Sequence, residues 1–329
     1  MPYYTLFSLT LFMGTVMALS SNHWIYVWMG FEINLMSFIP MMLHSNTNQE
    51  TEASVKYFLV QALGSSLILL SSLSIMFSPF SMFSLSAMTL TLLLALMIKM
   101  GAAPFHFWLP QVMSSINWIS CMVLATWQKI APLFIIASIS TPVASKFLMF
   151  MAIAGALIGG LGGLNQTHLR PLLAYSSISH LGWMIAATCI SMYTTTTYFM
   201  IYVFMTISIM LIMHVASAKS NYISTLSNTS FTLSMSLMIL FMSLGGLPPL
   251  LGFFPKWIMI KAMVFQNMLM FIMLMVLGSL ISLFYYLSLF FNLFLNNSAS
   301  TLKNKTSMPL LINMSIVSTL TLGLVPLII

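Results

Sequence analysis

The chain has 329 residues, of which 60% are hydrophobic and only 4% are charged. An ordinary soluble domain carries roughly 25% charged residues, so this composition excludes a water-facing exterior and makes lipid the principal solvent. The net charge of +7 comes from basic residues scattered singly along the chain. That pattern excludes the clustered basic face of a nucleic-acid-binding protein.

Apolar runs of about 20 residues, the length that crosses a hydrocarbon core, recur along the chain and predict eleven membrane helices. They cover residues 3–21, 24–43, 55–77, 84–109, 112–138, 146–164, 171–191, 195–218, 230–262, 267–295 and 308–328. The connections between them are too short to hold a separate folded domain. The sequence therefore predicts an all-α, polytopic helical bundle that forms a single membrane domain over residues 1–329.

The basic residues near the helix ends predict the orientation in the membrane. The N-terminus and the loops that follow even-numbered helices lie on one side, with five basic residues, against two on the other side. The first side receives Lys56, Arg170, Lys219, Lys303 and Lys305, and the second receives Lys146 and Lys261. The positive-inside rule therefore predicts that the N-terminus faces the cytoplasmic or matrix side.

Two predicted helices are longer than one crossing needs, and both contain Gly and Pro in their interior, at 99–108 and 245–257. Pro removes a backbone donor, and a carbonyl freed inside a bilayer must meet protein or water. Pro104 and Pro248 are 144 residues apart, and the first predicted helix starts 143 residues before the sixth. We therefore predict two inverted five-helix repeats, 3–138 and 146–295, each with a discontinuous helix, followed by a final helix at 308–328. The alternative is that these Gly and Pro residues reflect only their general frequency in membrane helices.

Four ionisable residues, Glu32, Lys99, Lys129 and Lys256, lie well inside predicted membrane helices. Each costs roughly 2.5–3.5 kcal/mol at the membrane centre, so a functional role is the default expectation. A buried lysine can gain or lose a proton as nearby charges change, and we predict a proton relay along these four residues. The alternative is a set of structural ion pairs, although three lysines cannot all pair with one acid.

His180 lies four residues after Ser176, so the two share one face of a predicted helix. Two hydroxyls and an imidazole in this segment could carry protons between Lys129 and Lys256. A histidine that only forms a hydrogen bond within the bundle is an equally valid interpretation. Cys121 and Cys189 lie apart, without CxxC spacing or a His pair, so we expect this chain to bind no metal or cofactor.

Six segments resemble the antiporter-like subunits of the membrane arm of respiratory complex I, NADH:ubiquinone oxidoreductase. They are WMGFEINL at 28–35, EASVKYF at 52–58, KMGAAPFHFW at 99–108, WQKIAP at 127–132, SSISHLGW at 176–183 and GGLPPLLGF at 245–253. The resemblance runs in order from about residue 24 to 260 and fades in the last quarter of the chain. It implies that Glu32 and Lys99 form the family's Glu/Lys pair, that Lys129 is its central lysine and that Lys256 leads to the far side. It also supports a proton-transfer role for His180.

The resemblance further implies a subunit without a redox centre, in a complex whose partner subunits hold NAD, FMN, iron–sulfur clusters and ubiquinone. The implied partners are the other membrane-arm subunits and the lipid bilayer, with cardiolipin as a candidate lipid. The 33 Met residues indicate a genome that decodes an extra codon as Met, as animal mitochondria do; Met as ordinary hydrophobic filler is the alternative. The implied location is the mitochondrial inner membrane, and the distribution of basic residues then predicts an N-terminus on the matrix side. Two other functions stay open: a free-standing cation/proton antiporter, and a structural scaffold subunit with no proton path.

Overall fold

The computed structural model describes residues 2–43, 47–77, 82–139, 142–216, 231–248 and 250–297. In these residues the regular structure is entirely helical, which confirms the predicted all-α class. The helices are α1 (Pro2–Ser20), α2 (Trp24–Met42), α3 (Asn48–Phe77), α4 (Met82–Met100), α5 (Trp108–Ser115), α6 (Trp118–Ala125), a 3-10 helix (Trp127–Lys129), α7 (Ile130–Ser138), α8 (Pro142–Gly163), α9 (Leu169–Thr188), α10 (Met192–Ala216), α11 (Phe231–Gly245), α12 (Phe253–Phe265) and α13 (Leu269–Asn297). The predicted last helix, 308–328, lies outside the described residues.

Six segments of the described chain are long and apolar enough to cross a membrane. They are Trp24–Met42, Asn48–Ser74, Trp118–Ser138, Val143–Gly163, Met192–His214 and Leu269–Phe294. Shorter apolar helices at Tyr4–Ser20, Ala87–Met100 and Ser234–Gly245 correspond to the first, fourth and ninth predicted helices. The polytopic membrane architecture predicted from the sequence is therefore confirmed.

Several predicted boundaries need correction. Helix α3 begins at Asn48, seven residues before the predicted start, because Thr47 accepts a hydrogen bond from the Glu50 amide and extends the helix into the polar loop. The predicted helix 84–109 ends at Met100, and the predicted helix 112–138 is divided into α6, the 3-10 helix and α7. An extended backbone at Ile116 and Asn117 separates α5 from α6.

Proline positions explain where several helices start. Pro110, Pro132, Pro171 and Pro255 are each the third residue of a helix, in α5, α7, α9 and α12. An amide N–H in the first turn has no partner within the helix, so Pro costs little there. Pro132 therefore lies just inside a new helix, and the interruption precedes it.

The chain forms two compact units, Met1–Met151 and Ala152–Ile329. In the first unit, α1 packs on α2, α3 packs on α2, α4 and α5, and α7 packs on α1 and α4. In the second unit, α10 packs on α9, α11 and α12, while α13 packs on α9, α11 and α12. The assignment of residues 3–138 and 146–295 to two inverted repeats stays a prediction.

Candidate functional site

Helix α4 ends in a glycine-closed turn inside the first unit. Gly101 has φ +69°, its amide donates to the Ile98 carbonyl at 3.1 Å, and the Ala102 amide donates to the Met97 carbonyl at 3.0 Å. These two bonds form a Schellman motif, in which the left-handed residue is normally Gly because a Cβ would be strained there. The chain then continues without regular helix until α5 begins at Trp108.

Helix α11 ends in the same way inside the second unit. Gly246 has φ +81°, its amide donates to the Ser243 carbonyl at 3.0 Å, and the Leu247 amide donates to the Met242 carbonyl at 3.4 Å. Helix α12 begins at Phe253. The two interruptions predicted from Gly and Pro are therefore present, and both use the same local geometry.

Protein side chains donate hydrogen bonds to backbone carbonyl groups at the first interruption. Gln61 of α3 donates from Nε2 to the Lys99 carbonyl at 3.1 Å, and the Trp108 indole donates to the Ile98 carbonyl at 3.2 Å. The Gln61 bond gives the Lys99 carbonyl a partner in a water-poor environment, where an unsatisfied carbonyl is costly. The Ile98 carbonyl also accepts from the Gly101 amide. Gln61 was not identified from the sequence, because its partner lies 38 residues away.

Lys99 is the penultimate residue of α4, and its side chain is 4% exposed. Its aliphatic part crosses Gly64 of α3, where an added Cβ would lie 2.9 Å from Lys99 Cγ. Its ammonium lies 4.8 Å from the centre of the Phe31 ring. Glu32, the next residue of α2, is half-buried and acts on Lys99 as a nearby charge, without a direct ion pair between these two described residues.

Lys129 is the last residue of the 3-10 helix between α6 and α7, and its side chain is only 1% exposed. Helix α6 ends where the Thr126 hydroxyl and amide both donate to the Met122 carbonyl, at 2.6 and 3.1 Å. Such a mid-span change to 3-10 geometry often marks a functional position. Lys129 therefore occupies a helix interruption, as Lys99 does.

Lys256 lies in the first turn of α12 and is 7% exposed. Its ammonium reaches back across the second interruption and donates to the Gly245 carbonyl at 2.9 Å. That carbonyl belongs to the last residue of α11. A charged donor thus satisfies the acceptor that the helix end exposes.

His180 lies in the middle of α9 and is 3% exposed. Its Nδ1 atom lies 3.0 Å from the Tyr198 hydroxyl, and its ring centroid lies 5.4 Å from that of Tyr202. The Ser176 hydroxyl instead donates to the Leu173 carbonyl at 2.8 Å. Sequence reasoning missed the two tyrosines, although they lie on α10 with the four-residue spacing of a shared helix face.

The predicted site residues are therefore divided between the units. Glu32, Lys99 and Lys129 belong to the first unit, and His180 and Lys256 belong to the second. The residues that the structure describes contain no group of three or more His, Cys, Asp or Glu able to hold a metal ion. What the arrangement offers chemically is a set of buried groups that can take up and release protons.

Comparison with known proteins identifies relatives over nearly the whole chain. The family model described as NADH:quinone oxidoreductase/Mrp antiporter, TM, matches residues 21–282. NADH-ubiquinone oxidoreductase chain 2 of Lumbricus terrestris is 45% identical over 282 residues, which cover 85% of this chain and 83% of the relative. The protein of that name from Osphranter robustus is 39% identical over 340 residues, covering 99% of this chain and 98% of the relative.

Solved structures show the same fold. A chain of respiratory complex I from Thermus thermophilus with bound aureothin aligns with a TM-score of 0.85 at 24% identity, covering 98% of this chain and 78% of its own length. A chain of the Mrp complex from a Dietzia species aligns with a TM-score of 0.83 at 18% identity, covering 98% of this chain and 75% of its own. With the sequence relatives, these matches show that the chain belongs to the NADH:quinone oxidoreductase/Mrp antiporter transmembrane family, in the group of NADH-ubiquinone oxidoreductase chain 2.

Proposed function

We propose that this chain is a membrane-arm subunit of NADH:ubiquinone oxidoreductase, complex I, and that it moves protons across the mitochondrial inner membrane. The names of its relatives and the family model support membership of such a complex. The membrane helices support the multi-pass location. The distribution of basic residues supports an N-terminus on the matrix side.

Protons pass, in this proposal, along Glu32, Lys99, Lys129, His180 and Lys256. The observation that carries the proposal is that each of the three buried lysines lies at an interruption of a helix. Lys99 precedes the interruption between α4 and α5, Lys129 lies in the 3-10 helix between α6 and α7, and Lys256 reaches across the interruption between α11 and α12.

Structural ion pairing accounts poorly for these lysines. The whole chain has only three acidic residues, and one of them, Glu52, pairs with the surface residue Lys56 at 2.6 Å. The two remaining acids, Glu32 and Glu50, cannot pair one to one with three buried lysines, and a buried lysine can exchange a proton when a neighbouring charge changes. The charge of Glu32 provides such an influence on Lys99.

Electron transfer belongs, in this proposal, to partner subunits that bind NAD, FMN, iron–sulfur clusters and ubiquinone. The only cysteines of this chain, Cys121 and Cys189, are too few for a cluster ligand set. Redox energy therefore reaches the relay through conformational or electrostatic coupling. Neighbouring membrane-arm subunits and bilayer lipids, including cardiolipin, are the proposed contacts of the outer surface.

The direct test is the number of protons moved per NADH oxidised by the assembled complex in sealed vesicles. Glu32→Gln and Lys99→Met should each lower this ratio, while NADH oxidation with an artificial electron acceptor continues. Lys56→Met is the matched control, because it removes an exposed ammonium and should leave the ratio unchanged. An unaltered ratio in both relay variants would refute the relay.

A free-standing cation/proton antiporter is the second candidate, favoured by the structural likeness to a chain of the Mrp complex. Native electrophoresis of membranes separates the two functions. Migration with NADH dehydrogenase activity supports the complex I subunit, and migration as a lone small oligomer supports the antiporter. A scaffold subunit would instead leave proton movement intact after Glu32 and the three buried lysines are neutralised.

A further inference from the structure

Four tyrosine side chains are buried together in the second unit, beside His180. Tyr198 and Tyr202 come from α10, Tyr285 and Tyr286 come from α13, and none is more than 2% exposed. The rings of Tyr285 and Tyr286 lie 4.6 Å apart between centroids. A tyrosine in a protein interior normally finds a hydrogen-bond partner for its hydroxyl.

The hydroxyls of Tyr285 and Tyr286 follow that rule only weakly. Both oxygens are buried, and their contacts with the neighbouring serine hydroxyls fall short of good hydrogen-bond geometry in the described residues. A weakly paired buried hydroxyl contributes little to a fold, whereas phenylalanine would fill the same space without its desolvation cost. Packing alone therefore gives no reason for a hydroxyl at either position.

The groups that face these hydroxyls are acceptors. Ser176 faces Tyr286, and Ser179 and Ser282 face Tyr285. The three serine hydroxyls already donate their protons to backbone carbonyls of their own helices, at 2.7 to 2.8 Å. The serine oxygens can therefore accept hydrogen bonds from the tyrosines, and the tyrosine hydroxyls carry the protons that can be transferred.

Tyr286 connects two parts of the candidate site. Its hydroxyl lies within electrostatic reach of those of Tyr198 and Tyr202, and Tyr198 contacts His180 at 3.0 Å. On its other side the ring carbon Cδ2, rather than the hydroxyl, lies beside Gly245, where an added Cβ would be 3.5 Å from it. The Gly245 carbonyl is the acceptor for the Lys256 ammonium.

We propose that Tyr286, assisted by Tyr285, carries protons between His180 with its tyrosine partners and Lys256. The inference rests on the proton-translocating function proposed above. In each step, a tyrosine oxygen accepts one proton from the neighbour on one side and releases its own to the neighbour on the other. Only N–H and O–H bonds are exchanged, and no net charge stays on the ring. The proposal requires water molecules between the hydroxyls and between Tyr286 and Lys256, and water is a common partner of buried polar groups.

The test is Tyr286→Phe in the assembled complex, which removes one oxygen and retains the ring against Phe241 and Gly245. We expect the NADH-driven rate of proton transfer to fall at least threefold and its solvent deuterium isotope effect to rise. A purely structural role would not change the isotope effect. Tyr193→Phe is the matched control, because this tyrosine of α10 is exposed and the change removes the same atom.

Lys256→Met, measured in parallel, separates this inference from the proposed function. A normal rate in Tyr286→Phe together with a reduced rate in Lys256→Met would overturn the role of Tyr286 and leave the relay standing. Normal rates in both variants would overturn both proposals. If Tyr286→Phe does not assemble, Ser176→Ala decides, since it removes the facing acceptor: a reduced rate supports the proposal, and a normal rate overturns it.

Discussion

Replacing Gly246 by Ala should damage both the second helix interruption and the lysine that closes it. Gly246 has φ +81°, a conformation that costs a residue with a Cβ roughly 1–2 kcal/mol. The added Cβ would lie 2.9 Å from Lys256 Nζ and 3.2 Å from its Cδ. The ammonium must therefore shift, and we expect its hydrogen bond to the Gly245 carbonyl, 2.9 Å long, to break.

Loss of that hydrogen bond adds about 1.5–3 kcal/mol, the usual contribution of a bond that involves a charged group. Together with the backbone strain, Gly246→Ala should cost about 2.5–5 kcal/mol. The neighbouring variant Gly245→Ala is the matched control. Its Cβ would lie no closer than 3.5 Å to any neighbour, and Gly245 has no positive φ, so the same added methyl group should be tolerated.

The assay combines the thermal stability of the assembled complex on native gels with the number of protons moved per NADH. We expect Gly246→Ala to lower both quantities and Gly245→Ala to leave both close to their original values. Equal behaviour of the two variants would refute the reasoning. It would mean that neither the left-handed backbone nor the position of Lys256 matters to this interruption.

Three further predictions concern other parts of the chain. Gln61→Leu leaves the Lys99 carbonyl without its side-chain donor. It should therefore lower the stability by about 1–3 kcal/mol, measured by thermal inactivation. Gln61→Glu should not keep the original stability either, because it also removes the N–H donor. Gly159→Ala places a Cβ 2.5 Å from the Ser179 amide nitrogen. Helices α8 and α9 must therefore move apart, and the melting temperature of the complex should fall. Gly245→Ala is the control, because the same added methyl group should be tolerated there. Lys56→Met removes a surface ion pair whose two side chains are 43% and 67% exposed. Because exposed ion pairs contribute little stability, we expect an assembled complex with normal stability and a normal number of protons moved per NADH. A marked loss of either quantity would contradict this expectation.

The helix interruptions could be predicted because their causes are local. Gly101 and Gly246 mark the ends of α4 and α11, and Pro104 and Pro248 follow within three residues. Both residue types act on the backbone at their own position, whatever surrounds them. The division of the predicted helix 112–138 was not recognised, because residues 116 and 117 carry no such signal.

The surroundings of the buried lysines could not be predicted, since they depend on helices distant in sequence. Gln61 and Gly64 lie on the same helix. Gln61 donates a hydrogen bond to the Lys99 carbonyl, and Gly64, which has no side chain, leaves room for the aliphatic part of Lys99. Nothing in the apolar pattern of α3 distinguishes them from other small or polar residues. The same holds for Glu32, which lies deep in an apolar segment of the sequence but is half-buried in the fold.

The two interruptions also explain how lysines can be placed in a bilayer without matched acids. A helix end exposes carbonyl groups and carries the negative end of the helix dipole, and both favour a nearby cation by up to about 2 kcal/mol when partly buried. Lys99 lies in the last turn of α4, and Lys256 comes from the following helix but donates to the last carbonyl of α11. The fold thus presents a C-terminal helix end directly to the Lys256 ammonium, whereas the Lys99 ammonium lies beside the Phe31 ring and near the charge of Glu32. A lysine that has released a proton and taken up another can form its hydrogen bond to a neutral carbonyl again. A buried contact ion pair would oppose the release of the proton, because the acid would be left as an unpaired buried charge. Hydrogen bonding to a carbonyl therefore suits proton transfer better than permanent ion pairing.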